Sequence, residues 1–235
     1  MKVRLVLSMV VLLLFAAVLF ALDRGGKEDR RFGEVRRISD AGLPVHLVRR
    51  TTDVYALWKE RGVSNRVVVH LGKFLHFVEL DPNQGYRTVA GFPVRVENLL
   101  REYEAKTTYQ NFLWTAVETN IARKTYLVLP PAIYKEKWDA ISREEAWLRG
   151  KDGFVTQYFG SLKIIADRIP REREPVLLNI DASFLDSPEI GRFVRELRRS
   201  GLLVDVVTLC LSEESPDVTP VERERLMQVA ELLKG

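Results

Sequence analysis

The stretch Arg66–Phe77, RVVVHLGKFLHF, decides the fold class of this chain. Its β-branched run predicts a buried strand over Arg66–His70, and a turn containing glycine and polar residues follows this strand. Other apolar runs of strand length precede and follow it, and segments with helical spacing separate most of them. The further predicted strands are Val45–Val48, Thr125–Leu129, Val176–Ile180, Leu202–Leu211 and, more weakly, Ser161–Ala166.

Three segments place apolar residues at helical spacing, which predicts helices with one buried face. Two helix starts are marked: Ser187 precedes Pro188, and Thr219 precedes Pro220, with Glu222 completing a capping box. Alternating strands and helices indicate parallel pairing through right-handed crossovers. We therefore expect an α/β fold of three layers, a mostly parallel sheet with helices on both faces. The apolar helix positions are Val54, Leu57 and Trp58, then Leu113, Ala116, Val117 and Ile121, then Ile190, Phe193, Val194 and Leu197.

Composition limits the function classes. The chain has 235 residues and is 46% hydrophobic, which excludes a disordered protein. When residues 1–24 are set aside, 33 basic and 31 acidic residues remain. No basic run is interleaved with aromatic residues, so nucleic acid is not the expected partner. Cys210 is the single cysteine, which excludes an intrachain disulfide, and its apolar surroundings predict a small buried side chain rather than a catalytic thiol.

The N-terminus predicts a membrane anchor. Residues 5–22 are apolar except for Ser8 and would span about 27 Å as a helix, while the small-residue pattern of a cleavage site is poor. We expect a signal-anchor over 1–22, a charged linker over 23–40 and a folded domain over 41–235, with structure from Pro44. The export-like start favours an extracytoplasmic domain, although the basic residues of the linker favour the opposite orientation.

Function in such a sheet is expected beyond the carboxyl ends of the strands. Asp181 is the sharpest candidate, because a carboxyl group that closes an apolar strand must be paired to offset its desolvation. A structural alternative is that Asp181 accepts hydrogen bonds from the turn Ala182–Phe184. His76 is the second catalytic candidate, and His46 is interpreted as structural. The candidate crevice residues are His70, Lys73, Ser183, Asp186 and Glu213.

Four stretches together resemble the arginase and histone-deacetylase superfamily, most closely a poorly characterised bacterial and eukaryotic branch. They are HLVRRTTDVYALW from His46, VVVHLGKFLHF from Val67, YQNFLWTAVETNIARKTYLVLPP from Tyr109, and VLLNIDASFLDSP from Val176. The resemblance covers about residues 44–215. It implies two divalent ions held by histidine and aspartate side chains that follow the strands.

Carried over by position, the resemblance assigns few true ligands to this chain. The first histidine falls at Thr51 or Thr52, the next three ligands at Gly72, Phe74 and His76, and the last pair at Asp181 and Ser183. His76 and Asp181 alone keep strong ligand types, whereas a catalytic ion needs about three protein ligands. We therefore expect neither a bound cofactor nor the hydrolysis that the family carries out.

Three functions follow from this reading. The first is a membrane-anchored pseudoenzyme that binds a small ligand or an envelope protein in its crevice. The second is a divalent-metal hydrolase of C–N bonds with a rearranged site, in which His70, His76 and Asp181 bind one ion and Glu213 or Asp186 acts as the base. The third is a scaffold or assembly factor of the cell envelope with a vestigial crevice.

Overall fold

The computed structural model describes residues 35–74, 107–109, 111–135, 162–166, 168–187 and 189–235. All of them belong to one unit of mutual contacts, Glu34–Gly235. The predicted span over residues 5–22 and the candidate His76 lie outside these ranges. Within the ranges, no helix has the length and apolar character needed to cross a membrane.

The described part is an α/β fold, with helices and one mostly parallel sheet. Its strands are β1 Arg36–Arg37, β2 Val45–Val48, β3 Arg66–Leu71, β4 Ala122–Leu129, β5 Leu162–Ala166, β6 Val176–Asp181 and β7 Leu203–Cys210. Its helices are α1 Thr51–Glu60, α2 Phe112–Glu118, α3 Ile190–Arg199 and α4 Pro220–Lys234, with a 3₁₀ turn at Ala182–Phe184.

The strand order is β1-β7-β6-β3-β4-β5, and β2 also pairs with β7. β1 is antiparallel to β7, whereas the other pairs are parallel. The last two strands of the chain therefore insert between β2 and β3. This order brings the loops after β2, β7, β6 and β3 to adjacent positions along one edge of the sheet, which we call the carboxyl edge.

The side chains of β3 alternate between two sets of partners. Val67, Val69 and Leu71 belong to a core cluster that also contains residues of α3 and α4, among them Leu197 and Leu226. The ring of His70, which lies between Val69 and Leu71 in sequence, instead contacts Phe112 of α2. Because successive side chains of a strand point to opposite faces, the two sets of partners lie on opposite sides of β3. Strand residues from Val67 to Leu71 are buried, as expected for a parallel sheet.

Most predicted elements are confirmed, and the differences lie at their ends. β2 has the predicted bounds, while β3, β4 and β6 are longer by one to three residues because pairing with neighbouring strands extends them beyond the apolar runs. α2 ends at Glu118, so the inclusion of Ile121 in this helix was wrong. Ile121 is nevertheless buried, and its N–H donates to the carbonyl of Ala116 at 2.9 Å.

The folded part begins earlier than predicted. Arg36 and Arg37, placed in the charged linker, form β1 against Leu203 and Val204. Ile38 is 1% exposed, and its N–H donates to Leu202 at 2.9 Å. The start of structure near Pro44 was therefore wrong. Sequence periodicity cannot detect a two-residue strand, because such a strand depends on its partner rather than on a pattern of its own.

One of the two predicted helix starts is confirmed. Thr219 caps α4: its hydroxyl accepts from Glu222 N–H at 3.2 Å, and the Glu222 carboxyl accepts from Thr219 N–H at 2.6 Å. α3 begins at Ile190 with Glu189 as its N-cap, so Ser187 does not cap it as predicted. The Ser187 hydroxyl instead accepts from Glu189 N–H at 3.3 Å, outside the helix, and Pro188 lies outside the described residues.

Candidate functional site

Asp181 closes β6 and is fully buried. Its Oδ1 accepts from the N–H of Ser183 at 2.8 Å, and its Oδ2 accepts from the hydroxyl of Ser212 in a short contact. Both oxygens therefore have partners within the protein. This is the structural alternative given for Asp181 in the sequence analysis, in which the carboxyl group accepts a hydrogen bond from the turn that follows it. The sequence did not indicate the second partner.

Ser212 links Asp181 to the lone cysteine. Its Oγ lies 3.4 Å from Sγ of Cys210. A serine hydroxyl has one proton, and because that proton goes to Asp181, the thiol is the donor to Ser212. Burial, followed by the negative charge of Asp181, raises the pKa of the Cys210 thiol well above its ordinary value, which suits this donor role. The prediction of a buried cysteine is confirmed.

Ser212 was missed as a site residue. It has a φ of +49°, which is uncommon for a residue with a side chain, and this conformation directs the chain away from β7 while its hydroxyl stays on Asp181. The carbonyl groups around it are held by Arg223 of α4, whose guanidinium donates to Leu211 at 3.0 Å and to Ser212 at 3.2 Å. No local sequence signal marks such a serine, because its role depends on β6 lying beside β7.

His70 is buried and lies between two elements. Nδ2 of Asn179 in β6 lies 2.8 Å from its Nδ1, within hydrogen-bond distance. The ring meets the edge of Phe112, with centroids 5.6 Å apart. Gly72 closes the other side: a Cβ on residue 72 would lie 2.6 Å from His70 Nε2 and 3.4 Å from Asp181 Cβ. The imidazole thus occupies the space that a side chain at position 72 would need.

His70 belongs to a polar row that crosses the sheet. Strand register aligns His46 of β2 with Thr208 of β7, Thr208 with Asn179 of β6, and Asn179 with His70 of β3. Residues paired in this way project on the same face. His46 is half-buried at the outer end of the row, 3.3 Å from a guanidinium nitrogen of Arg61. Burial, followed by the charge of Arg61, lowers its pKa, which fits its structural interpretation.

Lys73 and Ser183 lie beside the Asp181 turn. The N–H of Lys73 donates to the Ser183 hydroxyl at 3.1 Å. The ammonium group of Lys73 donates to the carbonyl of Asp217 at 2.5 Å and lies 3.3 Å from Glu222 Oε1. Both residues were predicted crevice residues, and both are engaged in joining the loop after β3 to its neighbours. Ser183 is fully buried, so it does not present a nucleophile to solvent.

α4 ties three loops of the carboxyl edge together. Its Glu222 contacts Lys73 after β3, its Arg223 holds the carbonyls after β7, and its Arg225 donates to the carbonyl of Leu185 after β6 at 2.9 Å. These three residues lie in the first two turns of the helix, adjacent to the capping box. The geometry of the edge therefore depends on a helix whose role the sequence did not predict.

The two remaining candidates in the described residues, Glu213 and Asp186, both lie at exposed positions. Glu213 is exposed and paired with Arg49 at 2.8 Å, whereas its neighbour Glu214 accepts from both N–H and Oγ1 of Thr51, at 2.8 and 2.7 Å. Asp186 is exposed, and its backbone carbonyl accepts from Arg225. In the described residues, neither Glu213 nor Asp186 is hydrogen-bonded to Asp181, Ser183 or Ser212. The structure therefore gives no support to either as a general base.

The described donors do not fit a catalytic divalent ion. The ranges that the structure covers contain no set of three histidine, cysteine or acidic side chains placed to hold a metal. Asp181 is engaged by two donors, Gly72 has no side chain, and Ser183 accepts from a backbone N–H. Phe74 packs against the core cluster, with its ring centroid 5.5 Å from the Lys73 ammonium group. His76 lies outside the described residues.

Comparisons of the chain with protein-family models, curated proteins and solved structures find no match.

Proposed function

We propose that this chain is a membrane-tethered, diverged arginase and deacetylase-like domain that has lost metal-dependent hydrolysis and binds a ligand or partner protein at its carboxyl edge. The proposed layout is three layers, with α1 and α2 on one face of the sheet and α3 and α4 on the other, preceded by a membrane helix over residues 5–22. The domain is proposed to lie on the extracytoplasmic side.

The observation that carries the loss of catalysis is the internal engagement of Asp181. Each Asp181 oxygen accepts from a buried donor, and the described residues bring no set of three ligand side chains together around it. Turning the carboxyl group away from these donors would leave the Ser183 N–H and the Ser212 hydroxyl without an acceptor, at about 1–3 kcal/mol for each buried donor. The imidazole of His70 next to Gly72 supports the same conclusion, since it fills a position assigned to a ligand by resemblance.

A binding role is supported by the polar surface that the same edge offers. The exposed side chains of Glu213, Asp186 and Asp217 surround loops that α4 holds in place. Binding residues are commonly placed on loops that a rigid scaffold positions. The competing proposal is an envelope scaffold that binds its partners through other surfaces. Substitutions at the carboxyl edge should affect partner binding under the first proposal and not under the second.

Metal analysis tests the loss of catalysis. We expect the full chain, purified in detergent without an affinity tag, to hold well under one equivalent of zinc, manganese or iron, and to show no micromolar binding of Zn²⁺ or Mn²⁺ by calorimetry. Tightly bound metal together with C–N hydrolysis that a chelator abolishes would overturn the proposal. In that case His76→Ala and Asp181→Asn should both remove the metal.

Partner binding is tested by crosslinking at the edge. A photoreactive residue at Asp217, which is exposed beside the carboxyl edge, should capture a defined envelope protein or ligand in cells, whereas the same group at Arg199, at the other end of the molecule, should not. Equal capture at both positions would favour the scaffold. Orientation is tested by a reporter at Gly235, which is exposed after α4, and activity only in the cytoplasm would reverse the proposed side.

A further inference from the structure

The edge of the sheet opposite the carboxyl edge is rich in arginine, and we call it the amino edge. Five exposed arginines lie there and have no carboxylate partner among the described residues. They are Arg37 in β1, Arg61 at the end of α1, Arg171 and Arg173 before β6, and Arg199 at the end of α3.

Three acidic residues of the amino edge are paired with other bases, whereas Asp40 and Glu60 lie there without an ion-pair partner among the described residues. Asp205 pairs with Arg66 at 2.9 Å, Glu172 with Lys124 at 2.7 Å, and Glu174 with Arg123. Glu172 accepts from both Lys124 and the Tyr126 hydroxyl, and the bond from Lys124 is the main reason that its pKa is lowered to about 2. The five guanidiniums therefore outnumber the two carboxylates of this edge that have no ion-pair partner in the described residues.

The carboxyl edge has the opposite character. Asp186, Asp217 and Glu224 are exposed there and have no ion-pair partner in the described ranges. Near α4 its bases are engaged, since Arg49 pairs with Glu213 and Arg223 donates to backbone carbonyls. Lys135 and Arg168, which follow β4 and β5 at the far end of this edge, are exposed. The near balance of charge along the sequence thus conceals a separation of charge along the strand direction. Such a separation orients a protein in the field of a charged surface.

We propose that the amino edge docks on the anionic phospholipid surface of the bilayer that tethers the chain. The inference rests on the proposed anchor, and it goes beyond it by stating which side of the domain faces lipid. The five arginines adjoin β1, β7, β6 and β3, which are neighbours in the strand order and extend over about 14–15 Å at the usual strand spacing. This spread suits a planar array of headgroups better than a compact pocket for a single phosphate.

The path of the chain supports the same orientation. β1 pairs with the beginning of β7, at Leu203 and Val204, so the chain enters the domain at the amino edge. Residues 23–34 lie between the predicted span and this entry point, and twelve residues reach at most about 40 Å when fully extended. The amino edge is therefore held close to the bilayer, where each arginine strengthens association about fivefold.

The test uses the full chain reconstituted into vesicles of phosphatidylcholine, with or without phosphatidylglycerol. A fluorophore is attached to Glu60→Cys near the amino edge or to Val221→Cys at the start of α4, and energy transfer to a headgroup-labelled lipid is measured. Both positions are exposed, whereas Cys210 is buried and should not react. We expect stronger transfer from position 60 on anionic vesicles, and loss of this difference at about 1 M salt, where the Debye length is about 3 Å.

Matched charge variants separate this proposal from a general charge effect. The triple variant Arg37→Gln, Arg173→Gln and Arg199→Gln should weaken surface association about 100-fold and abolish the difference between the two labels. The control removes three exposed arginines elsewhere, by Arg168→Gln, Arg192→Gln and Arg195→Gln, and should preserve it.

The outcomes distinguish the surface from the anchor. If energy transfer is equal for both labels and does not depend on phosphatidylglycerol, the docking surface is overturned. If the chain also stays in the vesicles at high salt, the membrane anchor is retained. If the chain floats with anionic vesicles and high salt releases it completely, the result supports the docking surface and overturns the membrane anchor. Retention of the chain on duplex DNA, without any dependence on anionic lipid, would overturn the proposal in favour of nucleic acid.

Discussion

Gly72 lies so close to His70 that a methyl group on residue 72 would come within 2.6 Å of the imidazole Nε2. The imidazole is fixed on its other side by Asn179 and Phe112, so it has little room to withdraw. The glycine is therefore required by a neighbouring side chain rather than by an unusual backbone angle. This contact explains why position 72, in the turn after β3, has no side chain.

We predict that Gly72→Ala lowers the free energy of unfolding by about 1–3 kcal/mol, the usual cost of overpacking a buried site. The cost should be smaller in a His70→Ala background, because the clashing ring is then absent. Urea unfolding of the four proteins in this double-mutant cycle measures the coupling. Gly191→Ala is the control: it lies in α3 without a clash and should stabilise by about 0.5–1 kcal/mol. Equal costs of Gly72→Ala in both backgrounds would contradict the contact.

Asp181→Ala should destabilise the domain by about 2–5 kcal/mol, because the buried donors on Ser183 and Ser212 lose their acceptor. Asp181→Asn should cost less, since the amide oxygen can still accept from the Ser183 N–H. Thermal and urea unfolding measure both changes. Asp186→Ala, at an exposed position five residues on, should change stability by less than about 0.5 kcal/mol. If Asp181→Ala were as mild as Asp186→Ala, the structural role of Asp181 would be excluded.

Glu118 should make stability fall as pH rises. Burial at the end of α2 raises the pKa of its carboxyl from 4.5 to about 7. The folded protein therefore binds a proton between these values that the unfolded chain releases, so the favourable contribution is complete below about pH 4.5 and is lost as pH rises through 7. Glu118→Gln has no charge to desolvate, and its melting temperature should exceed that of the wild type by more at pH 8 than at pH 5. Glu60→Gln, at an exposed helix end, is the control for removing a carboxylate from the surface.

Thr219→Ala should lower stability by about 1 kcal/mol through loss of the cap of α4. It should also loosen the carboxyl edge, because Glu222 bonds both Thr219 and Lys73. Hydrogen exchange of the amides around Ser212 and Lys73 would report this loosening. Thr219→Ser, which keeps the hydroxyl, should retain protection at both loops. Faster exchange confined to the first turn of α4 would show that the cap acts on the helix alone.

The sequence by itself determined the local elements. Apolar runs of strand length identified β3 and β6, and the run in β3 consists of β-branched valines, which suit a buried, pleated surface. Thr219, Pro220 and Glu222 identified the start of α4, since a capping box involves only residues within one turn. The position of Asp181 at the end of an apolar strand also indicated correctly that its carboxyl group would need donors close by. In each case the physical cause lies within a few residues of the pattern.

The tertiary structure alone decided what these elements bring together. β6 and β7 insert between β2 and β3, and this order sets Ser212 on Asp181 and aligns His46, Thr208, Asn179 and His70 in one row. It also places five arginines from four separate segments along the amino edge. Such relationships depend on which strands pair and in which register, and that choice is made by the packing of whole elements in the core. No window of the sequence contains both partners, so no local pattern could reveal them.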